Sequence, residues 1–507
     1  MSGAILIAGT TSDAGKSVVT AGLCRWLARQ GVSVAPFKAQ NMSLNSFVTL
    51  DGAEIGRAQV MQAAAARVEP EAHMNPVLLK PGSDRRSQVV VRGRAVADVD
   101  AVSYRLHKEA LLEVVLESLA DLRRRFDVVV CEGAGGAAEI NLRDTDIANL
   151  GLARAAGLPT LVVGDIDRGG VFAAMFGTLA LLSREDQQLV AGFVVNKFRG
   201  ARELLEPGLQ MLTALTGRAV YGVLPWRSGL WLDVEDSLAL DVPRDTPSAP
   251  VGRDPLRVAV VRLPRLSNVT DIDALAAEPG VLVRFASTPI DLVDADLVVV
   301  PGTRATVTDL AWLRAQRIDT VLADRAARGR PVLGICGGYQ MLGARIVDPV
   351  ESGSPEPVEA LGLLPVVTAF MPDKVLGRPA GVSPVFGGAP VAAYEIHHGR
   401  MIPYGGEALI TRDDGEDEGL RSGSVIGTVW HGALENDDFR RGVLRWVADL
   451  TGRDFVPGDV DFAAVREARL DSLGSLVADH LDTDAVWRLI EHGTADALPF
   501  VPPGAPA

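Results

Sequence analysis

Short apolar runs alternate with longer stretches of helical spacing from the start of the chain. Ala4–Ala8, Val32–Phe37, Asp127–Val130, Thr160–Val163, Leu189–Val195 and Val220–Leu224 are apolar at nearly every position. That is how strands covered on both faces of a parallel sheet read. Between them Lys16–Arg29, Glu54–Arg67, His107–Arg124, Ile147–Ala156 and Glu203–Leu215 read as helices. The alternation predicts a doubly wound α/β sheet. Asp241–Pro255 interrupts it, with four prolines and no period, and reads as a linker.

A second β/α series follows: Arg257–Val261, Val281–Phe285, Leu297–Val300, and Val332–Ile335 leading into a helix. Later strands are expected at Val391–Ile396 and Ser424–Trp430, while Ser352–Pro390, rich in Gly and Pro, receives no assignment. Val465–Glu491 has the spacing of one or two amphipathic helices. The resulting division is residues 1–240 as one domain, 241–255 as linker, 256–450 as a second domain, and 451–507 as a helical extension and tail.

Composition narrows the function. A formal charge of -14 disfavours nucleic acid as a partner, because a phosphate backbone rewards the opposite sign. Three cysteines without metal-ligand spacing make a disulfide framework or a structural zinc site a poor fit and suit a reducing interior. The first residues carry no basic stretch before their apolar run, and Val171–Leu182 is too short for a bilayer. A soluble, cytoplasmic protein with no membrane partner is expected.

Gly9-Thr10-Thr11-Ser12-Asp13-Ala14-Gly15-Lys16-Ser17 follows an apolar strand and opens a helix. Glycines there let backbone N–H groups curl around phosphate oxygens, and the helix N-terminus adds positive potential. Lys16 is placed to neutralise the β- and γ-phosphates of ATP, and the Ser17 hydroxyl to ligate Mg²⁺. The loop has one residue more than the common phosphate-loop spacing. Further on, Asp127–Val130 runs into Cys131 and Glu132, followed by Gly133, Gly135 and Gly136. An acid at the carboxyl end of a neighbouring strand reaches the metal, so Ser17 and Glu132 form the expected Mg²⁺ site.

Gly334-Ile335-Cys336-Gly337-Gly338-Tyr339-Gln340 lies where a buried strand turns into a helix. A thiol on such an elbow is exposed for attack and faces the helix's positive end. The N–H of Gly337 and a backbone donor at Gly302, in Val300-Pro301-Gly302-Thr303, can stabilise an oxyanion. Cys336 is thus the expected nucleophile. His431, in Gly427–Gly432, is the expected base, with His397 and His398 as rivals. Cys24 and Cys131 read as core residues.

The loop variant resembles dethiobiotin synthetase and its relatives. The Pro301-Gly302-Thr303, Gly334–Gln340 and Trp430-His431-Gly432 stretches together resemble class I glutamine amidotransferases. The fold implied is two doubly wound α/β domains, an N-terminal P-loop NTPase-like sheet and a C-terminal flavodoxin-like sheet. In amidotransferases the cysteine forms a glutamyl thioester and releases ammonia, and by resemblance Gln340 belongs to the glutamine site. The acid usual two residues beyond the histidine is absent, since position 433 is Ala433. Glu395 or Glu435 is then expected to orient His431, or the site works as a Cys/His dyad.

The pairing of these domains is similar to two corrinoid-amidating families, the cobyrinic acid a,c-diamide synthases and the cobyric acid synthases. Lys38–Ser46, Gly56–Gln59, Met74–Pro81, Glu132–Leu142, Gly164–Phe172 and Asn196–Gly200 favour the second. That resemblance covers nearly the whole chain. It implies ATP- and glutamine-dependent amidation of the b, d, e and g carboxylates of adenosylcobyrinic acid a,c-diamide. For that chemistry Lys38 is expected to join Lys16 at ATP, and the corrinoid is expected over the carboxyl ends of the first domain's strands, near Gln40, Asn41, Asn45, Lys80, Asp146, Arg168 and Asn196. The alternatives are the a,c-diamide synthase reaction and a non-catalytic NTP-binding protein that senses glutamine. An N-cap is the second reading of Asp146.

Overall fold

The structure, a computed structural model, describes residues 3–81, 86–227 and 249–503. Residues 241–248 of the expected linker lie outside the described residues. The chain divides into two compact units. Of the described residues, one unit gathers 3–43, 53–227 and 467–503, and the other gathers 44–52 and 249–466. Sequence order and spatial grouping therefore part at residues 44–52 and beyond residue 466.

The first unit is built on a six-stranded sheet. Its spatial order is Ala219–Pro225, Val190–Phe198, Thr160–Asp165, Gly3–Gly9, Val128–Glu132 and Val34–Phe37, all parallel. The first strand of the chain lies in the middle, so the winding reverses beside it. The loops leaving Gly9, Glu132 and Asp165 converge at that reversal, where open α/β sheets bind their ligands. The helix Lys16–Arg29 buries Val19, Leu23 and Leu27, one residue per turn, against Ile5, Ile7 and Val130.

The same core takes Leu473 and Val477 from the helix Phe462–His480, and Leu489 from Thr483–His492. Gly22 permits the close approach. A Cβ there would stand 2.5 Å from Val477 Cγ2 and 2.9 Å from the Leu473 carbonyl. Arg25, fully buried, donates to Glu467 at 2.8 Å. The helical C-terminal segment is thus part of the first unit's core.

A four-stranded sheet of Gln40–Met42, Val77–Pro81, Arg86–Val91 and Arg94–Asp100 also belongs here and was not expected from the sequence pattern. The helix expected over Glu54–Arg67 begins only at Arg57, after a short strand Glu54–Gly56. Gly56 precedes it in extended backbone, wedged against Asn41, Gln59 and Asn75.

In the second unit five parallel strands stand in the order Val281–Ala286, Leu256–Val261, Leu297–Val300, Val332–Ile335 and Val425–Thr428. Numbered along the chain this is 2-1-3-4-5, the flavodoxin-like winding. Asp417–Ser422, Glu407–Arg412, Ala380–Ser383 and Ala389–Ala392 extend the sheet antiparallel. A second sheet holds Ser354–Glu359, Arg345–Asp348, Val366–Gly377 and Glu395–Pro403. The stretch left unassigned in the sequence thus contains a strand of 12 residues. Its register shifts between Phe370 and Val375, around Pro372, which breaks the alternation that would have announced it. The strand expected over Val391–Ile396 is two strands in different sheets, parted at Ala393 and Tyr394.

Among the described residues no helix is long and apolar enough to cross a membrane.

Candidate active centres

In the first unit the loop after Gly9 makes a short 3₁₀ turn, Ser12–Ala14, and enters the helix through Gly15 at φ 103. That conformation suits glycine alone, and a Cβ would lie 1.9 Å from Asn196 Nδ2. Asn196 donates to the Ala14 carbonyl at 3.0 Å and so fixes the loop from the strand Val190–Phe198. Thr10 is tied to the sheet by its N–H on Val163 O. Lys16, almost fully buried, donates to the carbonyls of Thr11, Ser12 and Gly135, each at 2.9 Å. Its ammonium thus lies between the loop and the glycine turn beyond Glu132.

Glu132 gathers the other polar groups. Its Oε1 accepts from Ser17 Oγ at 2.9 Å and from Lys38 Nζ at 3.0 Å, and its Oε2 accepts from Gln62. Burial by itself would raise the carboxyl's pKa. Lys38, Lys16 and the Gln62 bond outweigh it and hold the group below the usual range, so it stays a carboxylate. Gln62 was not foreseen; it is a buried amide on the helix Arg57–Ala66, and nothing in local sequence ties it to position 132. A hydroxyl and an ionised carboxylate within 2.9 Å of each other are the hard oxygen donors Mg²⁺ takes when phosphate and water complete its shell. The donor set fits that ion.

The residues expected near the corrinoid hold varied positions. Asn41 is buried and donates to Gln59 at 3.1 Å; Lys80 is buried in an ion pair with Glu54. Gln40 is half-buried beside Asn41 on the same strand. Asp146 is not the N-cap of the helix Leu150–Ala156, which is Asn149, but braces the turn leading into it: its two oxygens accept the N–H groups of Ala148, Asn149 and Gly151. Arg168, exposed, pairs with Asp13 at 3.0 Å and with Asp165 at 3.6 Å. Lys197, also not foreseen, bonds the Asp13 carbonyl and Asp165. Asn45 groups with the second unit.

In the second unit Cys336 ends the strand Val332–Ile335 with φ 50 and ψ -111, a backbone strain that non-glycine residues rarely hold. Gly338 makes the elbow possible, since a Cβ there would sit 1.8 Å from the Val300 carbonyl. Gly337 likewise packs on Thr303, bringing the Pro301-Gly302-Thr303 turn against the elbow. The Cys336 N–H binds Thr428 O at 2.8 Å, which ties the elbow to the strand leading to His431. Gly302 presses on the imidazole edge: a Cβ on it would lie 3.1 Å from His431 Cε1. Gln340 is buried, its Oε1 accepting from Thr306 at 3.1 Å.

His431 is fully enclosed, and Asp271 holds it. Asp271 Oδ2 meets Nδ1 at 2.7 Å, and Oδ1 accepts the Gly432 N–H at 2.6 Å. Burial alone would lower the imidazole's pKa; the Asp271 carboxylate, with Cys336 beside the ring, pushes it up to about 10. Glu395 and Glu435 do not orient this histidine. Glu395 pairs with Arg412 and His397, and Glu435 with Arg466. The acid that meets the ring is Asp271. Asp271 stands 160 positions before His431, on the short turn Val269–Ile272, and a search confined to residues near the histidine passes over it. The rival histidines have other partners, His397 at Gly399 O and His398 at Met371 O. Cys24 and Cys131 are buried, and burial drives their thiol pKa values far up, as inert core cysteines require.

Residues 5–238 match the CobQ/CobB/MinD/ParA nucleotide binding domain, and residues 257–439 match the CobB/CobQ-like glutamine amidotransferase domain. The chain is therefore a nucleotide-binding domain fused to an amidotransferase domain. It is 62% identical to cobyric acid synthase of Frankia casuarinae over the whole of both chains. It is 62% and 61% identical to those of Streptomyces avermitilis and Streptomyces coelicolor, again at full coverage of both chains. The chain belongs to the cobyric acid synthase family and is an enzyme.

Proposed function

We propose that the enzyme amidates the b, d, e and g carboxylates of adenosylcobyrinic acid a,c-diamide, using ATP and glutamine, to give adenosylcobyric acid. Full-length identity to cobyric acid synthases carries the choice of substrate. The Cys336–His431–Asp271 set and the Lys16–Ser17–Glu132–Lys38 set support the chemistry.

A carboxylate resists amidation because oxide is a poor leaving group. Its oxygen therefore attacks the γ-phosphorus of ATP, releasing ADP and forming an acyl phosphate. Ammonia then attacks the acyl carbon and inorganic phosphate leaves. The transfer needs chiefly positioning and charge neutralisation. Backbone N–H groups of residues 9–17 would cradle the phosphates, and Lys16 and Lys38 would face their charge. Mg²⁺, held by Ser17 and Glu132, would neutralise phosphate oxygens.

Nitrogen comes from the second unit. The Cys336 thiolate attacks the glutamine carboxamide carbon, and the Gly337 N–H and the Gly302 turn face the oxyanion. The His431 imidazolium gives its proton to the departing ammonia. Water, deprotonated by the neutral ring, then cleaves the thioester to glutamate. Incubation with ATP, glutamine and either corrinoid, read by mass spectrometry, tests the reading. Four sequential amidations of the a,c-diamide are expected; turnover of cobyrinic acid alone would assign the other reaction.

Asp271→Asn tests the third member. Glutaminase kcat is expected to fall by about 100-fold or more, because the ring loses both its fixed tautomer and its charge partner. The pH dependence carries a sign. His431's pKa is raised when folded, so the pair's stabilisation is complete below the ordinary value of 6.5 and is lost as pH rises through about 10. The melting-temperature gap between wild type and Asp271→Asn should shrink across that span.

A further inference from the structure

Residues 44–52 follow the Gln40–Met42 strand of the first unit, yet they pack with the second. Asn45 Oδ1 accepts the Val269 N–H at 3.4 Å, and Ser46 donates its N–H to Asn268 Oδ1 at 2.9 Å. Asn268, at φ 52, opens the turn Val269–Ile272 on which Asp271 rides. Through that turn the segment adjoins the carboxylate that grips His431 Nδ1.

A second route runs through rings. Phe47 tilts against Tyr394 with centroids 4.6 Å apart, and Tyr394 stacks on His431 at 5.3 Å and 24°. Tyr394 and His431 also exchange both backbone hydrogen bonds, at 3.0 and 2.8 Å. Val48 joins Tyr394 and Ile396 in a small apolar cluster of its own, with Phe47 packed on it. An imidazole that must present Nε2 to a thiol has to be fixed at one edge and on one face. Asp271 fixes the edge and Tyr394 the face, and both lean on residues 45–48.

We infer that residues 45–48 are a positioning element of the glutaminase, with Phe47 acting on His431 through Tyr394 and Ser46 through Asn268 and Asp271. The inference rests on the reading of Cys336 and His431 as the glutamine-hydrolysing pair. Since Ser43 and Ala53, which flank the segment, belong to the first unit, the histidine of one activity is steadied by a peptide drawn from the sequence of the other.

Phe47→Ala is expected to lower glutaminase kcat about tenfold or more, with KM for glutamine moving less than about twofold. Synthesis from ammonium salt should be unchanged. Phe47→Tyr, which restores the ring, should recover the rate. Asn268→Gly keeps the left-handed backbone and removes the acceptor for Ser46, so it should depress the same kcat by the other route. The pH profile of Cys336 alkylation by iodoacetamide should shift in both impaired variants, a readout that mere loosening of the fold would not move. A Phe47→Ala enzyme with wild-type glutaminase kcat, or one that loses both nitrogen sources equally, overturns the inference. Glutamine turnover that survives Cys336→Ser instead overturns the underlying reading, whatever Phe47 does.

Discussion

Cys336→Ser is expected to lose glutamine-dependent synthesis by on the order of 10³-fold or more while keeping synthesis from added ammonium salt. Serine preserves the elbow's volume, and Gly338 and Thr428 still hold its backbone. What changes is the nucleophile. An ordinary thiol gives up its proton to a neighbouring imidazole. A hydroxyl in that place does not. Rates with glutamine and with ammonium, measured on one preparation, check this; equal losses from both sources would contradict it.

Lys16→Ala is expected to lower synthesis from either nitrogen source by on the order of 10²–10³-fold, because in the proposed reaction its ammonium meets the phosphate charge. Glutamine hydrolysis should persist in part, since Cys336 and His431 belong to the other compact unit. Amide formation and glutamate release, followed together, separate the two activities. Unimpaired amidation would remove the phosphate loop from the reaction. Lys16 also binds three carbonyls in a nearly buried setting, so a melting curve should accompany the rates.

Both sheets were legible because their strands are covered on two faces and read as unbroken apolar runs. Lys16–Arg29, Leu297–Val300 and Val332–Ile335 carry the same bounds in sequence and structure. Strands of the mixed sheets were opaque for the opposite reason. Val366–Gly377 holds a register shift and a proline, and Arg94–Asp100 alternates too weakly to show a buried face. At the centres, the expectations at Lys16 and Cys336 came from the glycines beside them, which the tight turns there require. Asp271 and Gln62 were not, since each meets its partner only through the tertiary fold, across 160 and 70 positions. Tyr394 was hidden by the strand expected across it.

The exchange of segments between the units has a consequence for how such a gene could be divided. A cut in the proline-rich stretch looks natural, but its upstream product would lack Leu473, Val477 and Leu489 of its own interior. Its downstream product would lack Phe47 and Val48, which seal the cluster around Tyr394. Each half would expose the apolar surface the other is built to cover. Two separately translated polypeptides would have to ripen together, and neither, purified alone, would serve as a faithful stand-in for its share of the intact enzyme.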